Sequence, residues 1–144
     1  MTNGLKTPEK KCKNYSIKKE LSFAKHSFSC WFWGFIGAIL RMLSINLVNK
    51  FFPYSISLGT LFVNVLGSFI IGLLFSYAQN KGLSPLLKSF ISTGFLGAFT
   101  TFSTFSYQNL LLLQSGNYLH FALNIILNVF LCLFAAWLGF IIFK

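Results

Sequence analysis

Acidic side chains are nearly missing from this sequence. Two Asp or Glu stand against twelve Lys or Arg in 144 residues, a formal net charge of +10. Both acids, Glu9 and Glu20, lie in the first 25 residues, and none occurs from His26 to Lys144. That excludes chemistry built on paired carboxylates, a Ser-His-Asp triad or a carboxylate-held divalent metal. It also argues against a proton-coupled transporter, which normally needs an intramembrane Asp or Glu. Cysteine is scarce as well: Cys12, Cys30 and Cys132 are odd in number, form no CxxC and have only two distant His for company. No zinc or disulfide framework follows, and the cysteines read as small apolar fillers or a tail thiol. Charged residues make up 10% of the chain, against roughly 25% in soluble domains. What remains is apolar: 55% hydrophobic, 19% aromatic, with 19 Phe. This is the composition of a membrane protein, not of a disordered chain, a nucleic-acid-binding tail or a disulfide scaffold.

Residues 1–27 are polar and hold seven lysines, Lys6, Lys10, Lys11, Lys13, Lys18, Lys19 and Lys25. They read as a disordered, solvated arm, with contact to anionic headgroups as the alternative. The arm is not expected to be the start of a secretory signal. The next apolar stretch is too long and lacks a small-x-small site before Arg41. Nor is a lipobox expected, because Cys30 precedes the apolar run. Residues 28–144 form one transmembrane domain of four apolar segments, about 28–48, 56–78, 86–107 and 118–143. Each can cross a core of ~30 Å as a helix. The breaks carry Lys50 with Pro53, Asn80-Lys81-Gly82 with Pro85, and Gln114-Ser115-Gly116-Asn117. With four spans, both termini and the second loop share one side, which holds ten lysines against Lys50 opposite, or two cations if Arg41 snorkels there. The positive-inside rule puts both termini in the cytoplasm.

Polar residues inside the apolar segments point to a site. Thr60, Asn64 and Ser68 lie at i, i+4 and i+8 on one face of span two. Asn64 is either interhelical glue or an amide facing a polar path. Span three carries Gly94-Phe95-Leu96-Gly97-Ala98-Phe99-Thr100-Thr101-Phe102-Ser103-Thr104-Phe105-Ser106. Such a run is a poor helix former, and a break is expected near residues 97–101. Carbonyls freed at a break can hold a small cation. Phe102 and Phe105 share a face if the helix resumes, and their ring edges carry positive potential. They are either packing or anion contacts. In span four Asn124, Asn128 and Cys132 form a second polar stripe. Arg41 either snorkels to the interface or serves an anion vestibule or a carbonyl clamp. Small residues (Gly34, Gly37, Ala38, Gly67, Gly72, Gly94, Gly97) suit close helix contact, within the chain or across a dimer. Amides, hydroxyls and ring edges without carboxylates suit a permeating anion.

These motifs resemble the CrcB/Fluc family of fluoride channels. They are Gly34-x-x-Gly37-Ala38-x-x-Arg41, Gly59-Thr60-Leu61-x-Val63-Asn64-x-x-Gly67-Ser68 and Gly94-Phe95-x-Gly97-x-x-Thr100-Thr101-Phe102-Ser103-Thr104-Phe105. The likeness covers about residues 30–143. It implies an all-α integral membrane protein of four transmembrane helices, the third broken, assembled as an antiparallel dimer with two fluoride pores. It further implies a structural sodium ion at the dimer centre, held by the carbonyls of Gly97 and Thr100. Asn64, Phe102 and Phe105 would line the pore, with Thr60 and Ser103 in its polar lining and Asn128 and Arg41 at the pore or vestibule. Ala98 stands where the family usually has a second glycine, and Gln108 where a glutamate commonly follows. Asn128 takes the place of a fourth-span serine, and Asn124 that of a tyrosine.

The expected activity is passive fluoride export across the plasma (inner) membrane, lowering intracellular toxicity, and not enzymatic. The fluoride ion, the lipid bilayer and a second chain are the expected partners. Self-pairing antiparallel chains need both orientations, whereas this loop bias favours one. A heterodimer with an oppositely inserted paralogue is therefore an alternative to the homodimer. A small dual-topology drug transporter would need a membrane-embedded Glu in span one, which is absent. A non-transporting membrane subunit would need neither the helix break nor the Phe pair.

Overall fold

The computed structural model describes the backbone of residues 8–52 and 58–144, with side chains from Ser27 onward except Ser29. Among the described residues it is all helical. Helix α1 (Pro8–Phe51) is followed by α2 (Leu58–Lys81). The third apolar segment is divided into α3 (Pro85–Ser89), a π-helical stretch (Phe90–Leu96), α4 (Gly97–Phe99) and α5 (Phe102–Gln114). Helix α6 (Tyr118–Ile141) closes the chain.

Three helical stretches are long and apolar enough to cross a membrane: Cys30–Phe51, Leu58–Lys81 and Tyr118–Ile141. The third segment is cut at the expected place. Thr100 (φ −82°, ψ 159°) and Thr101 (φ −149°, ψ 107°) are extended, so neither side alone reaches that length. At the other end, α1 reaches back to Pro8 and carries helical backbone into the segment read as an unordered arm. No Gly or Pro lies between Glu9 and Phe28, and Lys and Glu propagate helix well. Residues 1–7 of that arm lie outside the described residues.

Local chemistry explains the joints. Ser84 caps α3, its Oγ accepting from Leu87 N at 3.2 Å, with Pro85 in the first turn. Gly82 (φ 69°) and Gly116 (φ 75°) supply the left-handed turns after α2 and α5. Asn49 Oδ1 accepts from Gly59 N at 3.2 Å and ties the end of α1 to the start of α2.

Several of the small residues mediate close contacts within the chain. A Cβ on Gly72 of α2 would run into the Ala136 carbonyl of α6, and one on Gly139 of α6 into the Phe69 carbonyl of α2. On α1, Gly37 lies against the Phe95 carbonyl, and Gly94 presents its empty side to the Cys30 carbonyl, 3.0 Å from where a Cβ would stand. Backbones can approach that closely only without side chains, and in lipid such packing replaces the hydrophobic drive. Large apolar side chains such as Leu47, Phe130, Leu133 and Trp137 point outward, as hydrocarbon solvent allows.

Candidate functional site

The site is built on the break. In a continuous helix the Thr101 N–H would donate to the Gly97 carbonyl, and the Thr104 N–H to the Thr100 carbonyl. Here the Thr101 N–H donates to Asn64 Oδ1 at 2.8 Å. The Thr104 N–H donates to Thr101 Oγ1 at 3.2 Å, an N-cap for α5. The carbonyls of Gly97 and Thr100 thereby lose their helical donors. Asn64 from α2 completes the exchange, donating from Nδ2 to the Thr101 carbonyl at 3.3 Å. Its amide acts as a stand-in peptide across the gap, which lets an extended backbone exist at membrane depth. Thr100 turns back on α4, donating through both N and Oγ1 to the Leu96 carbonyl at 3.0 Å.

A line of amides continues from Asn64. Its Nδ2 also donates to Asn128 Oδ1 at 3.2 Å. Asn128 Nδ2 donates in turn to the Asn124 side-chain and backbone oxygens at 3.0 and 3.1 Å. The Thr101 bond fixes which way the Asn64 amide faces, and that orientation sets Asn128 and then Asn124. At the end of the line Asn124 Nδ2 is buried without a partner.

Asn64, Thr100, Thr101 and Asn128 border a cavity of about 450 Å³. Of the residues expected from the sequence, Asn64, Gly97, Thr100, Phe102, Phe105 and Asn128 all line it. Phe102 is 78% exposed and Phe105 only 8%, with ring centroids 5.5 Å apart and planes tilted by 48°. Three expected residues lie elsewhere. Thr60 is buried one turn from Asn64, where its Oγ1 accepts from Gln108 Nε2 at 2.9 Å. Ser103 is exposed, its Oγ 3.3 Å from Thr101 Oγ1. Arg41 lines a second cavity of about 390 Å³ with Asn46 and Thr104.

Sequence reasoning passed over Ser92 and Asn109. Ser92 lines the main cavity and donates to the Lys88 carbonyl at 2.8 Å. Asn109 is buried and donates to the Phe105 carbonyl at 2.9 Å. Its i+4 spacing from Phe105 is a usable signal, but an apolar segment bounded at Tyr107 leaves Asn109 outside. The cavity wall offers amide and hydroxyl donors and aromatic edges, and no carboxylate lies beyond Glu20. Such a lining can replace the hydration of a small anion. The released carbonyls of Gly97 and Thr100 are hard oxygen donors suited to a small monovalent cation.

Comparison with known proteins agrees with this chemistry. The family model described as CrcB-like protein, Camphor Resistance (CrcB), matches residues 28–140. A Campylobacter jejuni protein called fluoride-specific ion channel FluC is 98% identical over 113 residues, covering 78% of this chain and 93% of the relative. A Campylobacter lari protein of the same name is 65% identical with the same coverage. A Shewanella protein, again of that name, is 50% identical over 106 residues, covering 74% of this chain and 86% of its own. The chain belongs to the CrcB-like family.

Proposed function

We propose that this chain is a fluoride-specific ion channel, letting fluoride leave the cytoplasm down its gradient and so lowering its toxicity inside. The observation that carries the reading is the acid-free cavity where Asn64, Phe102 and Phe105 meet at the broken helix. The names of relatives up to 98% identical point the same way. No covalent step is involved, so the protein's task is solvation and exclusion.

Fluoride is small and strongly hydrated, so its water must be replaced by close donors. Asn64 Nδ2 is the first. An arriving anion takes the place of Asn128 Oδ1 as acceptor, while the Thr101 bonds hold the amide in position. Edges of Phe102 and Phe105 stabilise the ion without competing for hydrogen. Asn128 extends the polar lining, Thr60 and Ser103 support it from outside the cavity through Gln108 and Thr101, and Arg41 contributes positive potential at a separate vestibule.

The assembly that completes the pore is an antiparallel dimer of four-span chains, with Pro85–Gln114 as the broken third span. Gly97 and Thr100 fit a structural sodium ion at its centre because both carbonyls lack helical donors. The ion would fix the broken segments of two chains against each other. The dimer sits in the inner membrane, and an antiparallel pair of identical chains puts the termini of one copy in the cytoplasm and those of the other outside. The loop charges favour a second version, in which the partner is an oppositely inserted paralogue.

Fluoride efflux from liposomes, measured for the purified chain alone and mixed with any paralogue, tests both versions. Efflux from the chain alone supports the homodimer, and efflux only from the mixture supports the heterodimer. Vesicles that stay fluoride-tight in every combination would refute the channel reading.

A further inference from the structure

Two helical stripes lead from the Asn64 cavity toward the loop joining α2 to α3. On α2 the wall residues Asn64, Ser68 and Ile71 are followed one turn on by Phe75. On the third segment the wall residue Ser92 is preceded one turn earlier by Lys88, whose carbonyl accepts the Ser92 hydroxyl. The stripes meet beyond the cavity wall. Lys88 Nζ lies 4.0 Å from the centroid of the Phe75 ring. Phe75 is 38% exposed and Lys88 half-buried, so the pair stands between the cavity and the loop side.

This placement has an electrostatic consequence. The Lys88 stem covers apolar surface while its head is held over a ring face, which restricts where the charge can go. No acidic side chain occurs from His26 to Lys144 to offset it. Lys81, 5.9 Å over the Tyr77 ring, adds a second cation near the same loop. A low-dielectric wall beside a fixed charge focuses its field along the opening.

We propose that Lys88, held over Phe75, concentrates fluoride at the loop-side mouth of the path. This rests on the channel reading above. Lys88 does not coordinate the ion in transit; it raises the local fluoride concentration at the entrance. A unit charge roughly 7 Å from an entering ion in water contributes about one RT. Removing it should slow entry about threefold at low ionic strength, and salt should erase the difference.

The experiment compares wild-type protein with Lys88→Arg, Lys88→Met and Lys88→Glu in liposomes. Initial fluoride efflux is measured at low ionic strength and again with added impermeant salt. Lys88→Met retains the stem on Phe75 and loses only the charge. The expected result is efflux about threefold slower for Lys88→Met, slower again for Lys88→Glu and unchanged for Lys88→Arg. All four proteins should converge at high salt. Equal rates at low salt, or a loss of the same size at both salt levels, would overturn the proposal. The second outcome would make Lys88 a packing residue. Wild-type vesicles silent both alone and with any paralogue would instead overturn the channel reading, and this inference with it.

Discussion

Asn64→Leu isolates what one amide does at the break. Leu keeps the approximate volume and removes three hydrogen bonds: to the Thr101 N–H (2.8 Å), the Thr101 carbonyl (3.3 Å) and Asn128 Oδ1 (3.2 Å). Leaving buried groups unpaired costs about 1–3 kcal/mol each in water-soluble proteins. Interhelical hydrogen bonds in membranes average only about 0.6 kcal/mol. The lower figure applies here, because the Thr101 N–H has another acceptor within reach of rehelication, the Gly97 carbonyl. The expected stability loss is therefore about 2 kcal/mol, with the broken segment biased toward a continuous helix. That change would withdraw a released carbonyl and a pore donor together, so efflux should fall far more than stability. Asn64→Asp separates the two effects. Its oxygen still accepts the Thr101 N–H, but at alkaline pH it places a negative charge in the path. Two like charges about 4 Å apart at an effective dielectric of 20 repel by about 4 kcal/mol, on the order of a thousandfold in rate. Thermal unfolding in detergent and fluoride efflux from liposomes give the two readouts. Wild-type efflux in both variants, or an Asn64→Leu protein as stable as wild type, would refute the reasoning.

Other substitutions test the remaining parts. Phe102→Ile removes a largely exposed ring, so folding should survive while fluoride efflux drops at least about tenfold if its edge stabilises the ion; equal efflux rejects that role. Gly139→Val would press a side chain into the Phe69 carbonyl and should cost about 3 kcal/mol or more, seen as lost monodispersity in size-exclusion chromatography. A Gly97→Ala control, whose nearest neighbour would be the Ser92 carbonyl at 3.6 Å, should fold normally. Asn128→Ala frees Asn64 Nδ2 from its competing acceptor and should lower half-saturating fluoride about fivefold, for a hydrogen bond worth about 1 kcal/mol; an unchanged value would show that Asn128 does not oppose entry.

Much of this was legible in the sequence because lipid leaves few alternatives. Long apolar runs broken by Gly, Pro and Lys gave most segment boundaries to within three residues, but not the start of the first helix at Pro8 or the end of the third segment at Gln114. The threonine-rich run behind Gly94 and Gly97 gave the position of the break. The partner of the break was harder to see. Asn64 and Thr101 are 37 residues apart, and nothing in either local pattern pairs them. The same holds for Asn64 and Asn128, whose stripes were visible on separate helices but not in mutual register. The π-helical stretch was invisible, since Phe90–Leu96 carries no residue that distinguishes it from α-helix. The intramolecular contacts of Gly37, Gly72 and Gly139 rest on close backbone approach, which composition does not encode.

On the proposed reading, the Asn128 amide of α6 bears on how the route stays selective. Asn128 gives its own N–H to Asn124 and turns its carbonyl oxygen to Asn64. At rest, then, the donor that the proposed reading assigns to an anion is occupied by a neutral acceptor. Hydrogen bonds to charged acceptors are roughly twice as strong as neutral ones. An anion can therefore displace the Asn128 oxygen at a net gain, whereas water or another neutral acceptor would exchange like for like. A cation gains nothing from the Asn64 N–H. On the proposed reading, Asn128 adds a threshold at the Asn64 donor, one that a negative charge lowers by its own binding.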